Sequence, residues 1–164
     1  MTQSGATMRT IISLLAVGTL GVLAGVSSAQ NGRLFLDEAP LDKAVDFPKE
    51  KLAAYFAQMT KEQIGVIRLL EGGLYNVNIR HVENATPDDY GTEFHEDTID
   101  VWVIQEGGGT LVTGGEEVDG KHRGGVERSV KVGDVIFIPA GIYHGMKDTR
   151  STTWLNIRFP EHRN

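Results

Sequence analysis

Histidine, carboxylate, Tyr, Ser, Thr or Lys side chains must carry any chemistry of this chain, because its 164 residues include no cysteine. That absence removes thiol nucleophiles, thiolate zinc sites, iron–sulfur clusters and disulfides together. Two stretches space the remaining groups in a mechanically sensible way. In one, Glu93, His95 and Asp100 precede Gly107; Glu93 and His95 are two apart, so an extended segment projects both to one face. In the other, Gly133, Pro139, Gly141 and His144 follow one another. Gly133 with Asp134 turns the chain into a strand, Pro139 and Gly141 make the tight turn out of it, and His144 opens the next strand. Two imidazoles with one or two carboxylates suit Fe(II), Mn(II), Ni(II) or Zn(II), and two His with one carboxylate leave coordination positions open.

The elements that must position these groups are mostly strands. Residues 31–46 mix Gly, Pro and acids without a period and read as an extended arm. Pro48 suits the first turn of a helix, and Leu52, Tyr55, Phe56 and Met59 recur at helical spacing, which predicts a short amphipathic helix over 48–59. A strand is expected over 64–70, a turn at Glu71-Gly72-Gly73, and an alternating strand from Tyr75 to Val82. Further strands are expected over 100–105, 110–113, 128–132, 134–138, 144–147 and 153–159. Glycine-rich turns separate several of them, including Gly107-Gly108-Gly109. A β-sandwich or barrel follows. The polar stretch from Glu116 to Gly125 reads as a long exposed loop, with His122 solvated in it and His162 solvated in the tail.

Trp102 and Ile104 share the parity of Asp100, so they are expected to face the interior near it, Trp102 as pocket wall or as core. His81 stands at a strand end, either facing inward beside the site or lying on the surface. Val101 and Val103 fall on the other face of their strand, and Val135 and Phe137 alternate with Ile136 and Ile138. Both faces of this sheet are therefore apolar, whereas a solvated antiparallel sheet shows polar residues on one side.

The two spaced stretches resemble the paired motifs of the cupin superfamily. The second agrees at every position, with Asp148 where Asn is usual; the first has Glu93 in place of a histidine and Asp100 in place of a glutamate. The resemblance spans roughly residues 64–159 and includes the Trp102-Val103-Ile104 strand. It implies an all-β antiparallel double-stranded β-helix, a jelly-roll barrel, behind a short N-terminal helix. It also implies a divalent transition-metal site at His95, Asp100 and His144, with Glu93 as a fourth ligand or as a general base. Tyr143 stands where similar cupins often carry Pro, and Gly145 where a bulky residue is frequent; a wider or more polar mouth, or a harmless turn variant, would result. His81, Trp102, Ile104 and Tyr143 are the expected pocket residues. Resembling proteins include dioxygenases, isomerases and lyases acting on small oxygen-rich molecules, and also non-catalytic modules that bind a ligand or metal; fold membership does not separate these. An enzyme is favoured, since imidazoles and acids grouped in one cavity are costly unless they serve a metal or chemistry.

Composition narrows the partners. A net charge of −6 opposes a sequence-independent grip on phosphate backbones, so nucleic acid is not an expected partner. Residues 11–26 form an apolar run behind Arg9, followed by Ser27-Ser28-Ala29. This is the pattern of a secretory signal over 1–29 cleaved after Ala29. The run is short for a bilayer span, so stable membrane insertion is not expected after cleavage. The organisation is then a signal over 1–29, an arm and helix over 30–63 and a barrel over 64–164, exported to a periplasmic or extracellular compartment. The doubly apolar sheet calls for cover, which a homodimer would supply.

Overall fold

The computed structural model describes residues 33–38 and 42–162. The expected signal segment lies outside the described residues, as does part of the arm. In chain order the elements are β1 (Arg33–Glu38), α1 (Lys49–Glu62), β2 (Val66–Glu71), β3 (Asn76–Ala85), β4 (Thr98–Thr113) and β5 (Glu116–Val118). They continue with β6 (Lys121–Arg123), β7 (Val126–Lys131), β8 (Val135–Ile138), β9 (His144–Lys147) and β10 (Thr149–Pro160). This is an all-β jelly roll with one short helix, as the strand spacing predicts. No helix among the described residues is long and apolar enough to cross a membrane.

Strand β4 belongs to both sheets. Its first half pairs with β10 on one side and β8 on the other, which places β1, β2, β3, β10, β4 and β8 side by side. Its second half pairs with β7 and β9. The crossing lies at the three glycines expected to form a turn between two strands; they bend one continuous strand instead. Gly107 has φ 71°, and a Cβ there would collide with the Ser151 carbonyl oxygen of β10. Only glycine combines this left-handed backbone with so close an approach. The arm also differs from its expected irregular course: residues 33–38 form β1, added parallel to β2.

The polar stretch 116–125 is not a loose loop. Strands β5 and β6 pair as a hairpin, and His122 is buried, with Nε2 2.7 Å from the Gly114 carbonyl oxygen. Its ring lies between those of Tyr90 and Tyr143, at centroid distances of 5.7 and 6.4 Å. The imidazole gains a backbone partner and apolar cover that a count of neighbouring charges does not reveal.

Two apolar layers lie on opposite sides of the large sheet. Between the sheets, Trp102, Ile104, Leu111, Val130, Ile138, Met146 and Trp154 form the barrel core. Outside, α1 lays Phe56 and Met59 on Ile67, Leu69 and Ile79. Pro48 caps the helix, accepting from the Lys51 and Leu52 N–H groups, and Gln63 ends it with a left-handed φ of 54°. Strand β3 is therefore turned with its apolar side, Val77 and Ile79, toward the helix. Its polar side, Asn76, Asn78 and Arg80, takes the opposite face of the pleat and turns into the barrel.

The cover stops before β8. Val135 and Phe137 are 68% and 60% exposed, beside the half-buried Val103 and Val101 to which they are paired. Met59, by contrast, has no exposed surface. Met59→Ala is expected to cost roughly 2–5 kcal/mol, read as a lower urea midpoint with an unchanged slope, whereas Leu74→Ser, at a residue 76% exposed, should change stability by no more than about 0.5 kcal/mol.

Candidate functional site

Backbone pairing brings the two spaced stretches together. The segment after β3 runs antiparallel to the start of β9: the Glu93 N–H donates to the His144 carbonyl at 2.8 Å and the His144 N–H donates to the Glu93 carbonyl at 2.9 Å. The Gly141 N–H, in a turn with φ 74°, donates to the His95 carbonyl at 2.7 Å. Asp100 comes from β4, opposite Ile138 of β8 and Arg158 of β10. Asp148 also fits its motif position: it has φ 51° between β9 and β10, a left-handed conformation that Asn and Asp tolerate best among non-glycine residues.

One potential ligand atom from each of Glu93, His95, Asp100 and His144 lies within 4.8 Å of the others. His95 Nε2 is 3.5 Å and His144 Nε2 3.4 Å from Asp100 Oδ2, and His95 Nε2 is 3.4 Å from Glu93 Oε2. Both Nε2 atoms are buried and have no hydrogen-bond partner. The orientation of His144 is fixed from behind, where Nδ1 stands 2.8 Å from the Ile142 carbonyl oxygen. A carbonyl only accepts, so Nδ1 carries a proton, and in the neutral ring that a metal requires Nε2 presents its lone pair to the cluster. Two orphaned nitrogens and a carboxylate oxygen converging on one point fit a divalent cation, which would supply the missing partner for each.

Two arginines that sequence reasoning did not single out complete the site. Arg158 grips Asp100 with Nε at 2.6 Å from Oδ1 and Nη2 at 2.9 Å from Oδ2, and its Nη2 lies 3.4 Å from Glu93 Oε2. Arg80 pairs with the other Glu93 oxygen. Burial pushes the Asp100 carboxyl up, but the two hydrogen bonds and the charge of the Arg158 guanidinium outweigh it and hold the group well below the usual carboxylate range. The signal for Arg158 was available in strand parity: Trp154, Asn156 and Arg158 alternate with Leu155 and Ile157. An arginine amid an apolar strand, sharing the parity of a tryptophan, marks a charge directed into the interior.

The expected pocket residues separate. Trp102 and His81 line a cavity of about 160 Å³ together with Glu93, His144 and Trp154. The Trp102 ring stands edge-on to His144, 5.4 Å between centroids. His81 is buried rather than on the surface, with Nδ1 2.8 Å from Thr153 Oγ1 and Nε2 3.2 Å from Glu83 Oε1. Ile104 sits in the barrel core. Tyr143 packs on Phe94 at 4.6 Å between centroids, on the rim. Gly145 does not widen the mouth, because the Tyr90 ring and the Gly91 carbonyl occupy the space a side chain would take.

No sequence-family model and no curated protein matches the chain. Solved structures do. The chain is similar to BH2720 of Bacillus halodurans at a TM-score of 0.52 and 17% identity, over 76% of this chain and 86% of that one. It also matches the cupin domain of Schizosaccharomyces pombe Cnp3 at a TM-score of 0.46 and 9% identity, over 58% and 60% of the two chains. A match to Fe(II) HppE has a TM-score of 0.44 and 18% identity, over 52% of this chain and 43% of that one. At 17% identity the match to BH2720 shows a shared fold alone, here the all-β jelly roll that the strand pairing describes.

The depressed Asp100 carboxyl sets a pH signature. A group acidified by folding stabilises the folded state fully above its unfolded value, near 4, and loses that contribution as the pH falls. Asp100→Asn leaves Arg158 facing a neutral amide and is expected to cost about 3 kcal/mol at neutral pH. Urea unfolding at pH 7, 5 and 3 should show the gap between parent and variant constant from 7 to 5 and narrower at 3.

Proposed function

We propose that this cupin-fold chain holds one divalent transition metal, Fe, Mn, Ni or Zn, at His95, Asp100, His144 and Glu93, and acts there on a small oxygen-rich molecule. The observation that carries the proposal is the pair of buried, unpartnered imidazole nitrogens, both facing the Asp100 carboxylate. When bound, the metal supplies Lewis-acid polarisation of a ligated oxygen or a site for dioxygen, which spans chemistry of the dioxygenase, isomerase and lyase types. The chain's own groups orient and shield. Ile142 fixes the His144 tautomer, Arg158 holds Asp100 in place, and Trp102 and Trp154 wall the inner cavity against water. Glu93 borders both this cavity and the larger one beside it. Its Oε2 completes the ligand set or, outside it, takes a proton from the bound molecule.

A non-catalytic binding module is the second reading. What favours it is that Arg80 and Arg158 already neutralise the two carboxylates without a metal. Metal titration of chelator-treated protein tests the metal site, and turnover of a small oxygen-rich molecule by the loaded protein separates an enzyme from a module that only binds. The metal reading expects one ion per chain, lost in His144→Ala and kept in His162→Ala, whose side chain is exposed. A parent protein that takes up no Mn(II), Fe(II), Ni(II) or Zn(II) refutes it.

Export and dimerisation belong to the same proposal. The 1–29 pattern supports export. The uncovered Val135 and Phe137 support a twofold dimer. The alternative cover, the arm, is favoured less because β1 lies at the sheet edge opposite β8. The mature chain is expected to begin at Gln30 by N-terminal sequencing and to show twice the single-chain mass by light scattering at micromolar concentration. An uncleaved chain sinks the export proposal, and a single-chain mass sinks the dimer.

A further inference from the structure

Arg80 of β3 and Arg158 of β10 meet the two carboxylates of the cluster in different ways. Arg158 stands on Asp100, with Nε 2.6 Å from Oδ1 and Nη2 2.9 Å from Oδ2, and the same Nη2 is 3.4 Å from Glu93 Oε2. Arg80 pairs with Glu93 Oε1. Each acid keeps one oxygen toward the imidazoles. Asp100 Oδ2 is 3.5 Å from His95 Nε2 and 3.4 Å from His144 Nε2, and Glu93 Oε2 is 3.4 Å from His95 Nε2. The Glu93 backbone is fixed, because its N–H and its carbonyl are both bonded to His144, at 2.8 and 2.9 Å. The direction of the Glu93 carboxylate is therefore set by what its side chain meets.

That direction matters to a cation. A carboxylate binds a metal through one oxygen or through both, and a second oxygen fills a position that a bound molecule would otherwise take. Asp100 has little freedom to change, since Arg158 meets both of its oxygens and its side chain has no exposed surface. Glu93 has more. Its side chain is 26% exposed and borders both the cavity of about 470 Å³ and that of about 160 Å³, so its longer stem has room to turn the carboxylate about Oε2. Charge-assisted bonds from a guanidinium are strong and directional, and the Arg80 pair opposes that turn. Single-atom donors from Glu93, His95, Asp100 and His144 leave an octahedral ion such as Mn(II) about two open positions. A second oxygen from Glu93 would close one of them.

We propose that Arg80 is a positioning residue: by holding Glu93 Oε1 it confines Glu93 to the metal through Oε2 alone and keeps a coordination position open for the bound molecule. The proposal rests on the metal reading above and goes further by giving Glu93 the part of a one-oxygen ligand rather than a base. It also separates the two arginines. Arg158 holds Asp100 in the site, whereas Arg80 decides how much of the ion the site leaves free.

Water-proton relaxation of the Mn(II)-loaded full chain counts the exchangeable waters on the ion and tests the proposal without turnover. The parent is expected to carry about two waters. Arg80→Met, which keeps the length and removes every donor, should lose about one of them. Arg80→Lys, which still donates a charged bond to Oε1, should keep the parent count. In a Glu93→Gln background Arg80→Met should change nothing, because the amide offers a single oxygen. That arm removes the same positive charge, so it isolates action through Glu93 from a general field effect. Urea midpoints confirm that the variants are folded. A parent that takes up no Mn(II) overturns the metal reading and this proposal together. A loaded parent with about one or about three waters overturns this proposal alone, whether or not Arg80→Met folds. An unchanged count in folded Arg80→Met, an equal loss in Arg80→Lys, or the same loss in the Glu93→Gln background overturns it as well.

Discussion

A carboxylate without exposed side-chain surface must be compensated where it stands, and Asp100 organises this end of the molecule around that requirement. Its parity on β4 is shared with Trp102 and Ile104, so the strand cannot bury those two without also carrying the acid inward. Arg158 meets it from the neighbouring strand at the opposing register position, and the remaining side of the carboxylate faces two imidazoles. Removing any one of these groups leaves the others buried and mismatched. For that reason the site is at once a stability element and a place prepared for a cation.

The same constraint explains why the large sheet carries two apolar layers. Near β4 and β8 the barrel interior is apolar, and Trp102, Ile138 and Trp154 fill it. Toward β2 and β3 the inward face changes to Asn78, Arg80 and Arg68, and the hydrophobic face moves to the outside under α1. The helix is thus the second wall of a sheet whose interior has been given over to polar groups on that side. Without it, Ile67, Leu69 and Ile79 would be solvated.

Much of this was legible in the residues. The helix over 48–59 was legible from its apolar spacing and runs from 49 to 62; the strand ending at Ile138 and the strand beginning at His144 were legible from the turn chemistry of Pro139 and Gly141. The grouping of Glu93, His95, Asp100 and His144 was legible through the resemblance of two motifs, and the structure brings the four together. What was not legible shares one cause: local pattern does not say what lies across from a residue. The glycines at 107–109 have the composition of a turn, but the approach of β10 makes them a bend. His122 has the charged neighbours of a solvated loop, but Tyr90 and Tyr143 close over it. Arg80 and Asn78 have the alternation of a solvent-facing strand side, but α1 takes the other side.

By itself, then, the sequence determined which residue types were available, where strands and turns fall, and which side chains share a face, because these follow from periodicities of two and 3.6 and from backbone preferences that act within a few residues. Only the tertiary structure decided which face is interior, which charges meet, and that two arginines stand beside the four clustered residues. Those depend on pairing between strands as far apart in the chain as β3 and β10. Register, once set by packing, moves every side chain of a strand together to one face or the other.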